Sequence, residues 1–243
     1  MSLSPDLSAA HEALGYVFLT PDLNFAAAES EFRQAEKLAP ADAGPKGALA
    51  VLLQAQGKLA EAESMTRQAL MLDPLSVRLY SNLARVLIAG DRYDEAQGAL
   101  HKALELQPAA ARPRTFLAII ALLRGNAAAA LQEAQRESPG FWRDYALTLA
   151  QQSQGDRAQA DRALQKFIEG NSVNGPFQIA TVYGLRKEPD RMFEWLERAY
   201  IERDSGLTQL LVTPFLLTYR TDPRFAAFCQ KLKIQAPLAT AQP

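Results

Sequence analysis

Apolar positions along this chain follow a helical rhythm with a longer period laid over it. Residues 59–74 read LAEAESMTRQALMLDP and residues 93–108 read YDEAQGALHKALELQP, keeping Glu, Ala, Ala, Leu, Leu and Pro in register. The prolines that close each stretch, Pro40, Pro74 and Pro108, stand 34 residues apart. Five positions before each lies an alanine (Ala35, Ala69, Ala103), and seven before that another (Ala28, Ala62, Ala96). Alanines seven apart share one helical stripe, about two turns along it, where a neighbouring helix backbone has to come close. Proline then ends the helix, having no N–H to continue the ladder. Two short amphipathic helices per unit, at a fixed period, predict a helical solenoid.

The unit from residue 77 carries Tyr80, Leu83, Ala84 and Leu87, then Ala96, Leu100, Ala103 and Pro108. The unit before it carries Leu49, Ala50, Leu53, Gly57, Ala62, Ala69 and Pro74, with Lys46 where a large apolar residue would open. The first unit fits on its second helix (Ala28, Phe32, Ala35, Pro40) and has an extra residue in the turn TPDL. These positions resemble the tetratricopeptide repeat family, of the bacterial type with a C-terminal capping tail. Later units hold the phase through Leu117, Ala118, Gly125 and Ala130, then Leu147, Gly155, Ala160 and Leu164, then Ile179, Ala180, Tyr183, Leu196 and Ala199. The resemblance implies an all-α fold, a right-handed α-solenoid of about six helix pairs with a C-terminal helical cap. The units would span 9–42, 43–76, 77–110, 111–140, 141–172 and 173–204.

Stacked repeats expose an apolar face at each end, which a cap must cover. The segment 205–234 is expected to do so: Asp222 can N-cap a helix with Pro223 at its first position. Phe225, Phe228, Cys229 and Leu232 then share one face. The tail resembles one that follows such repeats in bacterial chains carrying an output domain. Residues 235–243 are expected to be a disordered tail.

Composition narrows the function more than it names it. Nearly half the residues are apolar, so a sizeable core forms. Formal charge is −1, which provides no global basic field for nucleic acid or anionic lipid. Residues 1–42 hold seven acids against Arg33 and Lys37, a net of −5, leaving +4 for the remainder. Such asymmetry would allow head-to-tail self-association. The single cysteine, Cys229, forms no intrachain disulfide and reads as a small buried hydrophobe. No Lys or Arg precedes Arg33, so no signal peptide is expected, and the longest apolar run, FLAIIALL at 116–123, is too short to span a bilayer. A cytoplasmic protein without membrane insertion is expected.

Chemistry is sparse. His11 and His101 lie far apart, and neither a glycine-rich phosphate loop nor a nucleophile or zinc motif occurs. No catalytic residue, metal or cofactor is expected. The resemblance implies instead that partners meet the A helix of each pair on the concave side. Those positions are Arg78, Asn82 and Arg85, then Arg112, Thr115, Phe116 and Ile119, then Trp142 and Tyr145. Offsets of four and three place Arg78, Asn82 and Arg85 on one helical face, and Arg112 at the equivalent position of the next unit should lie beside Arg78. Guanidinium groups pair bidentately with carboxylates, and Asn can hold a peptide backbone. An acidic or C-terminal-carboxylate peptide is the expected partner. The two-carboxylate clamp of chaperone-binding relatives needs Lys and Asn where Gly47 and Val51, or Ser81 and Arg85, stand here. The plainer alternative leaves Arg78 and Arg85 solvated or paired with acids such as Asp73. A further alternative is the sensory or assembly module of a bacterial regulator, docking an output domain through its tail.

Overall fold

The computed structural model describes residues 5–20 and 22–237. Among these residues twelve α-helices run in antiparallel pairs: α1 (Pro5–Leu19) with α2 (Phe25–Leu38), α3 (Ala43–Ala55) with α4 (Leu59–Leu72), and α5 (Val77–Ala89) with α6 (Tyr93–Leu106). The series continues with α7 (Pro113–Leu123) and α8 (Ala127–Arg136), α9 (Phe141–Gln151) and α10 (Arg157–Asn171), and α11 (Pro176–Leu185) and α12 (Pro189–Ile201). A 3₁₀ helix (Ser205–Val212), α13 (Pro214–Leu217) and α14 (Pro223–Lys231) complete an all-α, right-handed solenoid with a helical cap. Among the described residues no helix is long and apolar enough to cross a membrane.

The repeated alanines explain the pairing. Ala28, Ala35, Ala62, Ala69, Ala96 and Ala103 are all 0% exposed, each lying where two helix backbones approach. A second periodicity lies in the turns between the helices of a pair. Leu23, Gly57, Asp91 and Gly125 follow one another at the repeat spacing and all adopt left-handed backbone (φ 49°, 75°, 58° and 73°). After three of them, Lys58, Arg92 and Asn126 donate their N–H groups to Leu53, Leu87 and Ala121, closing the helix C-terminus with a Schellman bond. Gly57 has a further constraint: a Cβ there would sit 2.9 Å from Leu211 Cδ1.

That contact shows where the tail goes. α14 does cap the last pair: Phe225, Phe228, Cys229 and Leu232 bury against Met192, Leu196 and Ala199 of α12. Arg224 pairs with Asp190 (2.7 Å), and Lys231 pairs with Glu197. Asp222 is the N-cap, accepting from Arg224 N at 2.9 Å, with Pro223 in the first turn. The 3₁₀ helix goes elsewhere, turning into the concave face and packing on α3, α5, α11 and α12. Arg203, at φ 55°, breaks α12, and Asp204 then accepts from Gly206 N (2.7 Å) and Phe177 N (2.9 Å), anchoring the reversal against α11. Leu23, from the α1–α2 turn, joins the same apolar cluster as Leu207, Leu210 and Leu211. Residues 205–217 therefore do more than cover an end, because they tie the first pairs to the last. Ala236 also packs on this cluster; of the tail expected to be disordered, residues 238–243 lie outside the described residues.

Candidate functional site

Arg85 occupies the middle of the concave face. On α5 its side chain projects toward α3, where its Nε donates to Gln54 Oε1 (2.9 Å), and its Nη2 donates to Asn82 Oδ1 one turn back (3.1 Å). The residue is only 8% exposed. Burial pulls its guanidinium down to about 10, and the like charge of Arg112 adds to the shift. It remains a cation at neutral pH, with neutral partners only. Gln54 is itself buried, and its Nε2 has no hydrogen-bond partner.

Arg78, two turns earlier on α5, is exposed and approaches Gly47 of α3, where a Cβ would lie 3.4 Å from its guanidinium nitrogens. It also faces the phenol of Tyr16 and the carboxyl of Glu12 on α1. Burial raises the pKa of both groups, and Arg78 opposes the shift. Arg112 is the N-cap of α7 at φ 87°, and its guanidinium lies 4.3 Å from the centroid of the Trp142 ring. Its aromatic partner thus comes from the following unit, and the neighbouring charge it acts on is that of Arg85. Among the described residues none of these three arginines forms an ion pair, with Asp73 or any other acid. Arg33, Arg67, Arg92 and Arg124 all do.

The aromatic residues continue the surface. Trp142 and Tyr145 on α9 stack edge-on with centroids 6.2 Å apart, and Phe141 and Phe167 support them from behind. Thr115 is tied down: its N and Oγ1 both donate to Glu137 Oε2, at 2.9 and 3.0 Å. Glu137 also accepts from Ser138 N (3.0 Å), so this buried carboxylate fixes the start of α7 rather than facing a ligand.

Arg85, Thr115, Phe116, Ile119, Trp142 and Tyr145 line one narrow cleft. Its other wall consists of Gln178 and Thr181 on α11 and Gln209, Val212, Thr213 and Phe215 from the inward-turned tail. Sequence reasoning missed this wall. Gln178 and Thr181, buried polar residues within the apolar helix PFQIATVYGL, were the signal available for α11. For the tail residues there was none.

The titratable groups elsewhere do not assemble into a centre. His11 Nδ1 lies 2.6 Å from Glu31 Oε2, His101 is exposed on α6, and burial pushes the Cys229 thiol up to about 11. Among the described residues no group of three His, Cys, Asp or Glu side chains could hold a metal ion.

Comparison with known proteins agrees with this geometry. A tetratricopeptide repeat family model matches residues 53–120, and a second one matches residues 111–136. No curated protein matches the chain in sequence. Among solved structures, Pseudomonas aeruginosa pilF is 19% identical with a TM-score of 0.57, the match covering 80% of this chain and 90% of that one. A tetratricopeptide repeat protein from Parabacteroides merdae is 15% identical with a TM-score of 0.53, over 96% and 95% of the two chains. An O-GlcNAc transferase mutant of Thermobaculum terrenum is 24% identical with a TM-score of 0.50, over 56% of this chain and only 27% of that one. At these identities the likeness is one of fold. The matched models over residues 53–136, with the buried alanine pairs at repeat spacing and the capped solenoid, show a chain that carries tetratricopeptide repeats, a fold that supports a scaffold for protein interaction.

Proposed function

We propose that this chain is a non-catalytic scaffold that holds a carboxylate-bearing peptide or protein segment on its concave face, with Arg78, Arg85 and Arg112 supplying the charge. One observation carries the reading: the Arg85 guanidinium is buried, cationic and without an acidic partner. A buried charge lacking a counter-ion costs several kcal/mol, and an incoming carboxylate would offset that. Preformed helices also keep the ordering cost of binding on the partner rather than on the protein. Asn82 and Gln54 hold Arg85 in place, while Trp142 and Phe116 offer apolar surface beside it.

Fluorescence anisotropy with acidic and neutral peptides of matched length tests this. The protein is expected to bind the acidic set, more weakly as ionic strength rises. Arg78→Glu/Arg112→Glu, which alters two side chains outside the packed core, should abolish that binding with the helical circular dichroism unchanged. Equal binding of acidic and neutral peptides, or an unaffected double variant, would overturn the reading.

A further inference from the structure

We infer that two copies of this chain pair through the outward face of α1, across a two-fold axis. Leu7, Ala10, Leu14 and Val17 share one stripe of that helix. Leu7 and Val17 are each 53% exposed and Leu14 is 41% exposed, while the opposite side of the helix packs on α2 and α3. The repeat register identifies this stripe. Allowing for the extra residue of the TPDL turn, Leu14 and Gly15 stand where Leu49 and Ala50, Leu83 and Ala84, and Leu117 and Ala118 stand in the next three A helices. Leu49, Leu83 and Leu117, which match Leu14, and Leu52, Val86 and Ile120, which match Val17, are at most 5% exposed. Leu49 and Leu52 are buried in one cluster with Ala28 and Phe32 of the preceding pair, and Leu117 and Ile120 in one with Ala96 and Leu100. The outward side of α1 is therefore a stacking face, and among the described residues no helix lies on it. A stacking face left in water is an apolar surface that association removes.

The spacing of the stripe makes it complementary to itself. Two antiparallel α1 helices related by a two-fold axis at the level of residue 12 set position 7 against position 17 and position 10 against position 14. Each Leu14 then meets the small Ala10 of the other copy, and the two helix dipoles oppose one another favourably. The polar residues at mid-helix turn away from this face: His11 Nδ1 lies 2.6 Å from Glu31 Oε2, and Glu12 lies against Gly44 at the start of α3. Head-to-tail stacking fits less well. The outer side of α14 presents Arg224, Gln230 and Lys231 to solvent, which would leave the α1 stripe facing polar groups. Charge gives the two arrangements opposite signatures. Residues 1–42 carry a net −5, so a two-fold contact brings like charges together and salt should tighten it by screening. A contact between the acidic first pair and the mildly basic remainder would instead loosen as salt rises.

The test is sedimentation velocity of the full chain over roughly 1–300 µM, a range that brackets the Kd of about 10–100 µM expected for a contact smaller than a standard interface. The mass should rise to that of a dimer and stop there, and added salt should shift the rise to lower concentration. Leu14→Glu should weaken pairing by roughly 100-fold or more, since one substitution enters a two-fold interface twice and puts a carboxylate into it each time. The helical circular dichroism of this variant should be unchanged, because Leu14 is exposed in the single chain. Ala10→Lys should be monomeric by itself for the same reason. Mixing Ala10→Lys with Leu14→Glu should restore a dimer, because the two-fold register sets Lys at 10 against Glu at 14. A chain that stays monomeric throughout would overturn the inference and leave the face to a helix of another protein. Growth beyond a dimer, loosening by salt, a dimer that survives Leu14→Glu, or no recovery in the mixture would overturn it as well.

Discussion

Replacing Leu211 by Ala asks whether the tail holds the solenoid together or merely covers its last pair. Leu211 is 4% exposed and sits against Gly57, more than 150 positions earlier in the chain. A buried Leu→Ala change costs about 2–5 kcal/mol, the larger values arising where the site cannot collapse. The backbone at Gly57 is fixed by its Schellman turn and cannot follow the missing methyls, so about 3 kcal/mol is expected. For a chain of this length each kcal/mol moves the melting temperature by ~2–4 °C, giving a fall of roughly 6–12 °C. Location is the sharper readout. Coupling in a solenoid passes between neighbouring repeats, so loss of a contact confined to the last pair would leave α3 untouched. Native-state hydrogen exchange should instead show protection falling at the end of α3, around Ala55 and Gln56, as well as in α11. Leu232→Ala, equally buried but facing α12, serves as control: it should lower protection in α12 and α14 while sparing α3. Unchanged exchange at α3 in Leu211→Ala would refute the proposition that the tail bridges the first pairs to the last.

Three other outcomes follow from particular residues. Lys187 is exposed and occupies left-handed backbone (φ 60°), where Gly57 and Gly125 stand in other pairs; Lys187→Gly should raise stability by about 1 kcal/mol, seen as a melting temperature ~2–4 °C higher. Gln54→Leu/Arg85→Met replaces a buried charge and an orphaned amide by apolar groups, so the double variant should melt no lower than the parent while losing peptide binding; a clear drop would mean that the polar pair contributes net stability. Burial lifts the Cys229 thiol from 9.0 to about 11, so as pH rises the unfolded chain releases this proton first, and stability should decline across that window; Cys229→Ala should flatten the slope in alkaline denaturant titrations.

Much of the fold was legible in the order of residues because helix pairing is a local problem. An alanine stripe and a terminal proline lie within one unit, and the same solution recurs at each repeat, down to the fully buried Ala62 and Ala96. Asp222 and Pro223 announce α14 for the same reason, since an N-cap and its first turn are adjacent in sequence. The candidate site was legible only in part. Counting along the A helices gathers Arg85, Phe116, Ile119 and Tyr145 on one surface, and the structure brings them to one cleft. It could not show that Arg112 turns over Trp142, which depends on a left-handed residue ahead of α7, nor that Thr115 is committed to Glu137.

The sequence by itself determined the repeated helix pair, its stacking and the row of arginines and aromatics along one side, because each depends on spacings of a few residues set by helical geometry. Only the tertiary structure decided that residues 205–217 turn inward, since nothing near Leu211 in the chain specifies Gly57 as its neighbour. That choice is made by apolar burial summed over Leu23, Leu207, Leu210 and Leu211, and by Asp204 reaching the amide of Phe177. It brings Val212 and Phe215 to the wall of the cleft that holds Arg85, a buried cation bonded only to neutral side chains.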